Sequence, residues 1–257
     1  ALETVADAPD TEIAFADKLE FFRRASHFFG RSALMLSGGG ALGPFHLGVV
    51  KALLEQDLLP SVISGSSAGS FVAAVLGTHP RDQVMDRLQP GHLSSAWEEF
   101  EEGERDVAVG NRQMGIEEVR HAIARLIPDM TFQEAFELTG LRINVSISPA
   151  QPHQSSRLMN AITSPNVFVR DAVLASCAIP GIFPPVTLTA KDVHGRRRPY
   201  VPSRKWVDGS VTDDLPAKRL ARLYGVNHFI TSMTNPIVLW AVRDADFDDS
   251  LPGRLWD

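Results

Sequence analysis

The chain has 257 residues, with 25 Lys and Arg against 31 Asp and Glu, a formal charge of -6 that argues against a generic nucleic-acid binder. Apolar residues make up 44% and charged residues 22%, near the average for globular domains, which excludes a disordered, collagen-like or disulfide-scaffold chain and predicts one α/β domain. Cys177 is the only cysteine, so neither an intrachain disulfide nor a thiolate metal cluster can form; compartment leans reducing.

In chain order, residues 1 to 10 are small and acidic and read as a loosely held tail. Phe15, Leu19, Phe22 and Phe29 then recur at helical spacing, with Lys18, Arg23 and Arg24 opposite. This amphipathic helix is expected to pack its Phe stripe on the domain's own core; laying that stripe into lipid is the alternative. Ala33 to Ser37 reads as a buried strand, Gly38 to Gly43 as a loop, and Pro44 to Gln56 as a helix. Ser61 to Ser64 is a second short strand and Ser67 to Gly77 a second helix, an order that predicts a parallel sheet. Residues 79 to 140 lack a strand pattern and are read as a helical insertion, with helices near 81–88 and 116–127. Within it, six acids in the nine residues Glu98 to Asp106 mark a solvated face. Leu141 to Ser148 alternates as a strand, Asn166 to Cys177 reads as a helix ended by prolines 180, 184 and 185, Leu215 to Tyr224 as a helix, and His228 to Met233 as a last buried strand. The longest apolar runs, such as Phe45 to Leu54, are too short to span a bilayer, and no signal peptide is visible after Ala1.

Gly65-Ser66-Ser67-Ala68-Gly69 is a G-x-S-x-G between an apolar strand and an apolar helix. A turn this sharp needs small neighbours and presents the Ser67 hydroxyl at a helix N-terminus, where backbone N–H groups favour developing negative charge, so Ser67 is the candidate nucleophile. Upstream, Gly38-Gly39-Gly40-Ala41-Leu42-Gly43 also joins a strand to a helix. It fits a dinucleotide fingerprint at Gly38, Gly40 and Gly43, but no acid is well placed about 20 residues on and Ser67 would have no role. The nearby elbow serine favours an oxyanion hole, built from N–H groups of Gly38, Gly39 and Gly40 with that of Ala68.

Asp208, in Trp-Val-Asp-Gly-Ser, ends an apolar run before Gly209, where partial burial would raise its pKa into a range useful for a base acting directly on Ser67. Chain order equally permits a triad of Ser67, Asp208 and His228, although His228 sits in or at the start of a strand. The other histidines show no zinc spacing, so no metal and no cofactor are expected, and Cys177 in its apolar helix reads as core. Ala172 to Val186 is nearly all apolar and reads as core or as the wall of an acyl channel. Lys191 to Lys205 holds six basic residues and one acid; it reads as a solvated hairpin tip or as a patch for an anionic membrane surface.

The set GGGALG, GSSAGS and WVDGS, in this order and on these elements, resembles the patatin-like lipid acyl hydrolases. The wording around them is most similar to the branch holding the fungal lipid-droplet triacylglycerol lipases and their bacterial relatives, over residues 20 to 235. That resemblance implies a three-layer α/β/α fold with a mostly parallel sheet, a catalytic region over 31–235, an N-terminal tail and helix over 1–30, and a C-terminal tail over 236–257 that completes no element. It implies a metal-independent Ser67–Asp208 dyad, motif glycines at Gly43, Gly65, Gly69 and Gly209, and hydrolysis of acyl esters of a glycerolipid, with transacylation open to the same acyl-enzyme. A cytoplasmic or peripheral location, touching a membrane or lipid-droplet surface, goes with it. The chain departs from the family at Leu42, where many members are basic, and at Ser210, where Gly or Ala is usual; both bear on head-group preference and neither removes a catalytic group. A lipid-binding module without catalysis is the remaining alternative, in which Ser67→Ala behaves as wild type.

Overall fold

The computed structural model describes residues 2–87, 116–151 and 154–235. The acidic run at 98–106 and the C-terminal tail at 236–257 lie outside the described residues.

In chain order the elements are α1 (Leu2–Asp7), α2 (Phe15–Phe29), β1 (Arg31–Leu36), a 3-10 turn (Gly40–Leu42), α3 (Phe45–Glu55), β2 (Val62–Gly65), α4 (Ala68–Thr78) and α5 (Arg81–Arg87). Beyond residue 115 come α6 (Ile116–Leu126), α7 (Phe132–Thr139), β3 (Arg142–Pro149), β4 (Arg157–Met159) and α8 (Val169–Ser176). The chain then forms β5 (Thr189–Lys191), β6 (Arg197–Pro199), β7 (Trp206–Asp208), α9 (Ser210–Asp213), α10 (Ala217–Tyr224) and β8 (Val226–Ser232). The tail read as loose begins with the short α1, and α7 was not expected. Its signal was present all the same: Thr131 caps the helix by accepting from the Glu134 N–H while the Glu134 carboxylate accepts from the Thr131 N–H, and Gly140 ends it in the left-handed region at φ 69°.

The main sheet runs β4-β3-β2-β1-β8, with β1, β2, β3 and β8 parallel and β4 antiparallel to β3. Alternation divides the strands between two layers of helix. Leu34, Leu36 and Ile63 face Val50 and Leu54 of α3 and Val72, Ala73 and Leu76 of α4, while Ala33, Met35 and Val62 on the other face meet Leu220 and Tyr224 of α10. A larger cluster carries this core along Ile143, Val145 and Ile147 to α6, α7 and α8. Helix α4 runs almost wholly inside, and Gly77 lets it lie against β3, since a Cβ there would sit 2.3 Å from Ile143 Cγ2.

The Phe stripe of α2 does not join this core. Phe15 and Phe29 are 67% and 63% exposed, Phe21 and Leu19 are exposed as well, and no described side chain of the helix is buried. The physical reason is that both faces of β1 are already closed, one by α3 and α4 and the other by α10. The apolar stretch 172–186 divides instead: Ala172 to Ala175 are core, whereas Ile182, Pro184 and Pro185 reach the surface.

One edge of β3 positions the site. Val145 pairs with Gly65 of β2 and with Met159 of β4, so those strands flank β3 on opposite sides. Ile147 pairs with Arg157 of β4 and with Asp208 of β7, which therefore lies in the lane that β2 vacates when its chain turns away after Gly65. Asp208 thus stands two residues, about 7 Å, beyond Gly65 along the same edge.

Candidate active site

At the end of β2 the backbone reverses into α4 through Ser66 and Ser67. Ser67 adopts φ 49° and ψ -122°, a left-handed conformation that costs about 1–3 kcal/mol for a residue with a Cβ. The surroundings hold it there. Its N–H donates to Ser176 Oγ at 2.9 Å, the Ser176 hydroxyl donates to the Ser146 carbonyl at 2.7 Å, and the Ser67 carbonyl accepts from Ser70 Oγ at 2.7 Å. The small residues are required by space: a Cβ on Gly65 would lie 2.2 Å from the Gly69 carbonyl oxygen, and one on Gly69 would lie 2.3 Å from that of Leu36.

Asp208 is 2% exposed and Ser67 7%, and the Ser67 hydroxyl lies close enough to the Asp208 carboxyl to favour its charged form. The same carboxyl accepts from the Ser210 N–H at 2.8 Å. Burial raises its pKa above the ordinary carboxylate value; hydrogen bonding from Ser210 and the nearby Ser67 hydroxyl oppose that, and the charge of Asp214 adds to it. Gly209 is needed where β7 crosses β3, since a Cβ would sit 2.5 Å from the Ser146 carbonyl carbon.

The glycine loop packs directly on this pair. A Cβ on Gly38 would meet Ser210 Cβ at 2.9 Å and Ser67 Cβ at 3.4 Å, and one on Gly43 would meet Ala68 Cβ at 2.7 Å. The four expected oxyanion donors need one correction. Gly38 N–H donates to Asp214 Oδ1 at 2.7 Å and is already committed, whereas the N–H groups of Gly39, Gly40 and Ala68 have no acceptor among the described residues.

Asp214 is a residue that sequence reasoning missed. Asn235 Nδ2 donates to its other carboxylate oxygen at 3.3 Å, and Ser66 Oγ donates to its carbonyl at 3.1 Å, so it ties the glycine loop, the elbow and the end of β8 together. Burial raises its pKa, with the Gly38 hydrogen bond working the other way. A second acid followed by Leu-Pro, six residues after Asp208, was the available signal.

His46 was read as unremarkable, yet it braces the loop from behind. It is fully buried; its Nε2 lies 2.9 Å from the Ser37 carbonyl and its Nδ1 lies 2.7 Å from Ser232 Oγ. A carbonyl only accepts, so Nε2 carries the proton and Nδ1 accepts from the serine. Burial lowers its pKa below the ordinary 6.5. A histidine depressed in the folded state contributes stability that is complete above the unfolded value and lost as pH falls through the folded one. Urea unfolding at pH 7.5 and 5.5 should therefore show a loss toward pH 5.5 that is smaller in His46→Gln, with that variant weaker by about 1–3 kcal/mol at pH 7.5.

His228 is not brought to the site. It is exposed and pairs with Ser32, four register steps, about 13 Å, from the Leu36 and Gly65 level at which the elbow begins. Cys177 is no nucleophile either: burial, and then the Asp208 charge, push its thiol up to about 12. Among the described residues no cluster of His, Cys, Asp and Glu could hold a metal ion, and no helix is long and apolar enough to cross a membrane. The basic tract forms the β5–β6 hairpin, but much of its charge is paired: Lys191 with Glu134, Arg197 with Asp129 and Asp171, and Arg198 with Asp192. Arg197 also stacks on Phe168 at 3.7 Å.

The chain is 37% identical over 270 residues to the triacylglycerol lipase SDP1L of Arabidopsis thaliana, covering 99% of this chain and 34% of that protein. It is 40% identical over 222 residues to triacylglycerol lipase 4 of Saccharomyces cerevisiae, covering 80% of this chain and 24% of that protein. The chain therefore spans about a third or less of the length of these relatives. Among solved structures, VipD from Legionella pneumophila is 15% identical with a TM-score of 0.43, over 79% of this chain and 49% of that one. A patatin-like phospholipase family model matches residues 34–221, which include the glycine loop, the elbow serine and the buried aspartate, and the chain belongs to that family.

Proposed function

We propose that the chain hydrolyses acyl esters of glycerolipids through a Ser67–Asp208 dyad. The observation that carries the reading is a serine in a strained strand-to-helix turn whose hydroxyl lies beside a buried carboxylate of raised pKa. Asp208 takes the proton as Ser67 Oγ attacks the ester carbonyl, and the oxyanion that forms is met by N–H groups of Gly39, Gly40 and Ala68. Collapse expels the alcohol, which takes the proton from Asp208; water, activated by Asp208, then releases the fatty acid. An alcohol acceptor in place of water makes the same step a transacylation.

An apolar substrate fits the surface beside the nucleophile. Leu42 in the glycine loop is 48% exposed and Phe45 at the start of α3 is 64% exposed, leaving apolar side chains in solvent next to the loop that packs on Ser67. They support peripheral contact with a lipid surface, to which the charge-paired β5–β6 hairpin adds little. The names of the relatives make triacylglycerol the first substrate to test, with a phospholipid beside it.

The test is labelling with a fluorophosphonate ester, followed by peptide mass spectrometry and by lipid hydrolysis with chelator present. One label per chain on Ser67, with loss of a hydrolysis that chelator leaves intact, is the expected result. A label on another residue, or hydrolysis that survives complete labelling of Ser67, would refute the assignment.

A further inference from the structure

An open cavity of about 660 Å3 lies between β4, the segment 200–206 and α10, and none of Ser67, Asp208 or the glycine loop lines it. Four guanidinium groups do: Arg157, Arg204, Arg219 and Arg222. Among the described residues only Arg219 has a carboxylate partner, Asp213 at 3.4 Å. In a chain of net charge -6, this is a local concentration of unneutralised positive charge. Trp206 lines the same cavity and is 2% exposed.

The rest of the wall says what kind of ligand. Leu158 and Leu223 face the arginines' cavity together with the Trp206 ring, so a ligand filling it meets apolar surface as well as charge. The volume falls within the range of about 300–1,000 Å3 usual for small-molecule sites, far larger than one inorganic phosphate. Guanidinium forks match the paired oxygens of a phosphate, and the multiple charge of a monoester suits several arginines better than a single carboxylate would.

We propose that this cavity binds the phosphate monoester headgroup of an amphiphile, with Arg157, Arg204 and Arg222 on the oxyanion and the apolar wall, including the Trp206 ring, taking the start of the attached chains. The site stands apart from the catalytic assignment and does not depend on it. It also touches the active centre's support: Arg219 Nη2 donates to Ser156 Oγ at 2.9 Å, and both residues hold Asp213, the neighbour of Asp214.

The experiment is calorimetric titration of the 257-residue chain carrying Ser67→Ala, so that no ester is consumed, with monomeric dihexanoyl phosphatidic acid, with inorganic phosphate and with dihexanoylglycerol. Saturable one-to-one binding of the phosphatidic acid, at least tenfold tighter than either of the others, is expected. Arg204→Gln with Arg222→Gln should weaken it by about tenfold or more, as should Arg157→Gln alone, while the melting curve and, in the Ser67 protein, nitrophenyl ester hydrolysis stay unchanged. Equal affinity for inorganic phosphate would overturn the amphiphile, equal affinity for dihexanoylglycerol would overturn the phosphate, and binding indifferent to the arginine variants would overturn the site.

Discussion

Asparagine in place of Asp208 is expected to lower kcat on a short-chain nitrophenyl ester by about 10²- to 10⁴-fold, the usual contribution of a positioned general base. The substitution preserves the shape and the oxygen that accepts from Ser210 N–H, so the loss falls on proton transfer. Stability should move the other way. Burial raises the Asp208 pKa, and a carboxyl raised in the folded state contributes stability that is complete below its unfolded value and lost as pH rises through the folded one. At neutral pH the ionised carboxylate is therefore a burden on the fold, and Asp208→Asn should melt at a higher temperature than wild type. The acid limb of kcat/KM in the unmodified enzyme should likewise lie above the ordinary carboxylate value of 3.8. A variant that is inactive but melts lower would mean that Asp208 is a structural anchor, because catalysis and stability would then have fallen together.

The largest effect on folding is expected at Gly69. Its missing Cβ leaves room for the carbonyl oxygens of Leu36 and Ser37, 2.3 and 2.7 Å from where that atom would stand. These are backbone atoms at the end of β1 and the start of the glycine loop, so no rotamer change relieves the clash; α4 must separate from β1. Gly69→Ala should cost more than about 3 kcal/mol, read as a fall in the urea midpoint or as failure to accumulate folded protein. Gly48→Ala is the control. Gly48 lies in α3 with nothing within 4 Å of an added Cβ, and alanine there should stabilise by about 0.5–1 kcal/mol.

What could be read in advance follows from how local its cause is. The run of small residues around Ser67 is legible because the turn itself forbids side chains at Gly65 and Gly69, whatever the rest of the molecule does. The strands β1 and β2 are legible because burial on both faces demands apolar runs, and β3 because it alternates apolar and polar positions. The short β4 and β7 carry no such signature. Asp208 could be picked as an acid before a glycine, but its place in the lane beyond β2 depends on pairing with β3, which no local pattern encodes. Asp214 and Ser176 escaped for the same reason: each looks like an ordinary polar residue until the fold brings a backbone N–H from another element to it. The Phe stripe of α2 shows the converse limit, since helical periodicity predicts the helix and one apolar face but not whether anything covers it.

The shared edge of β3 has a consequence for how the chain tolerates change. The strands bearing Ser67 and Asp208 need no ladder with each other, because each is registered separately against the same rigid strand, at Val145 and at Ile147. Segments can lengthen or shorten between β2 and β3, or between α8 and β7, without altering the spacing of Ser67 and Asp208, so long as both strands still find their places on that ruler. The order of assembly is set by it too. During synthesis the elbow can form as soon as β3 has docked, but the carboxylate arrives only when β7 fills the remaining lane, so chemical competence appears late, after most of the core has closed.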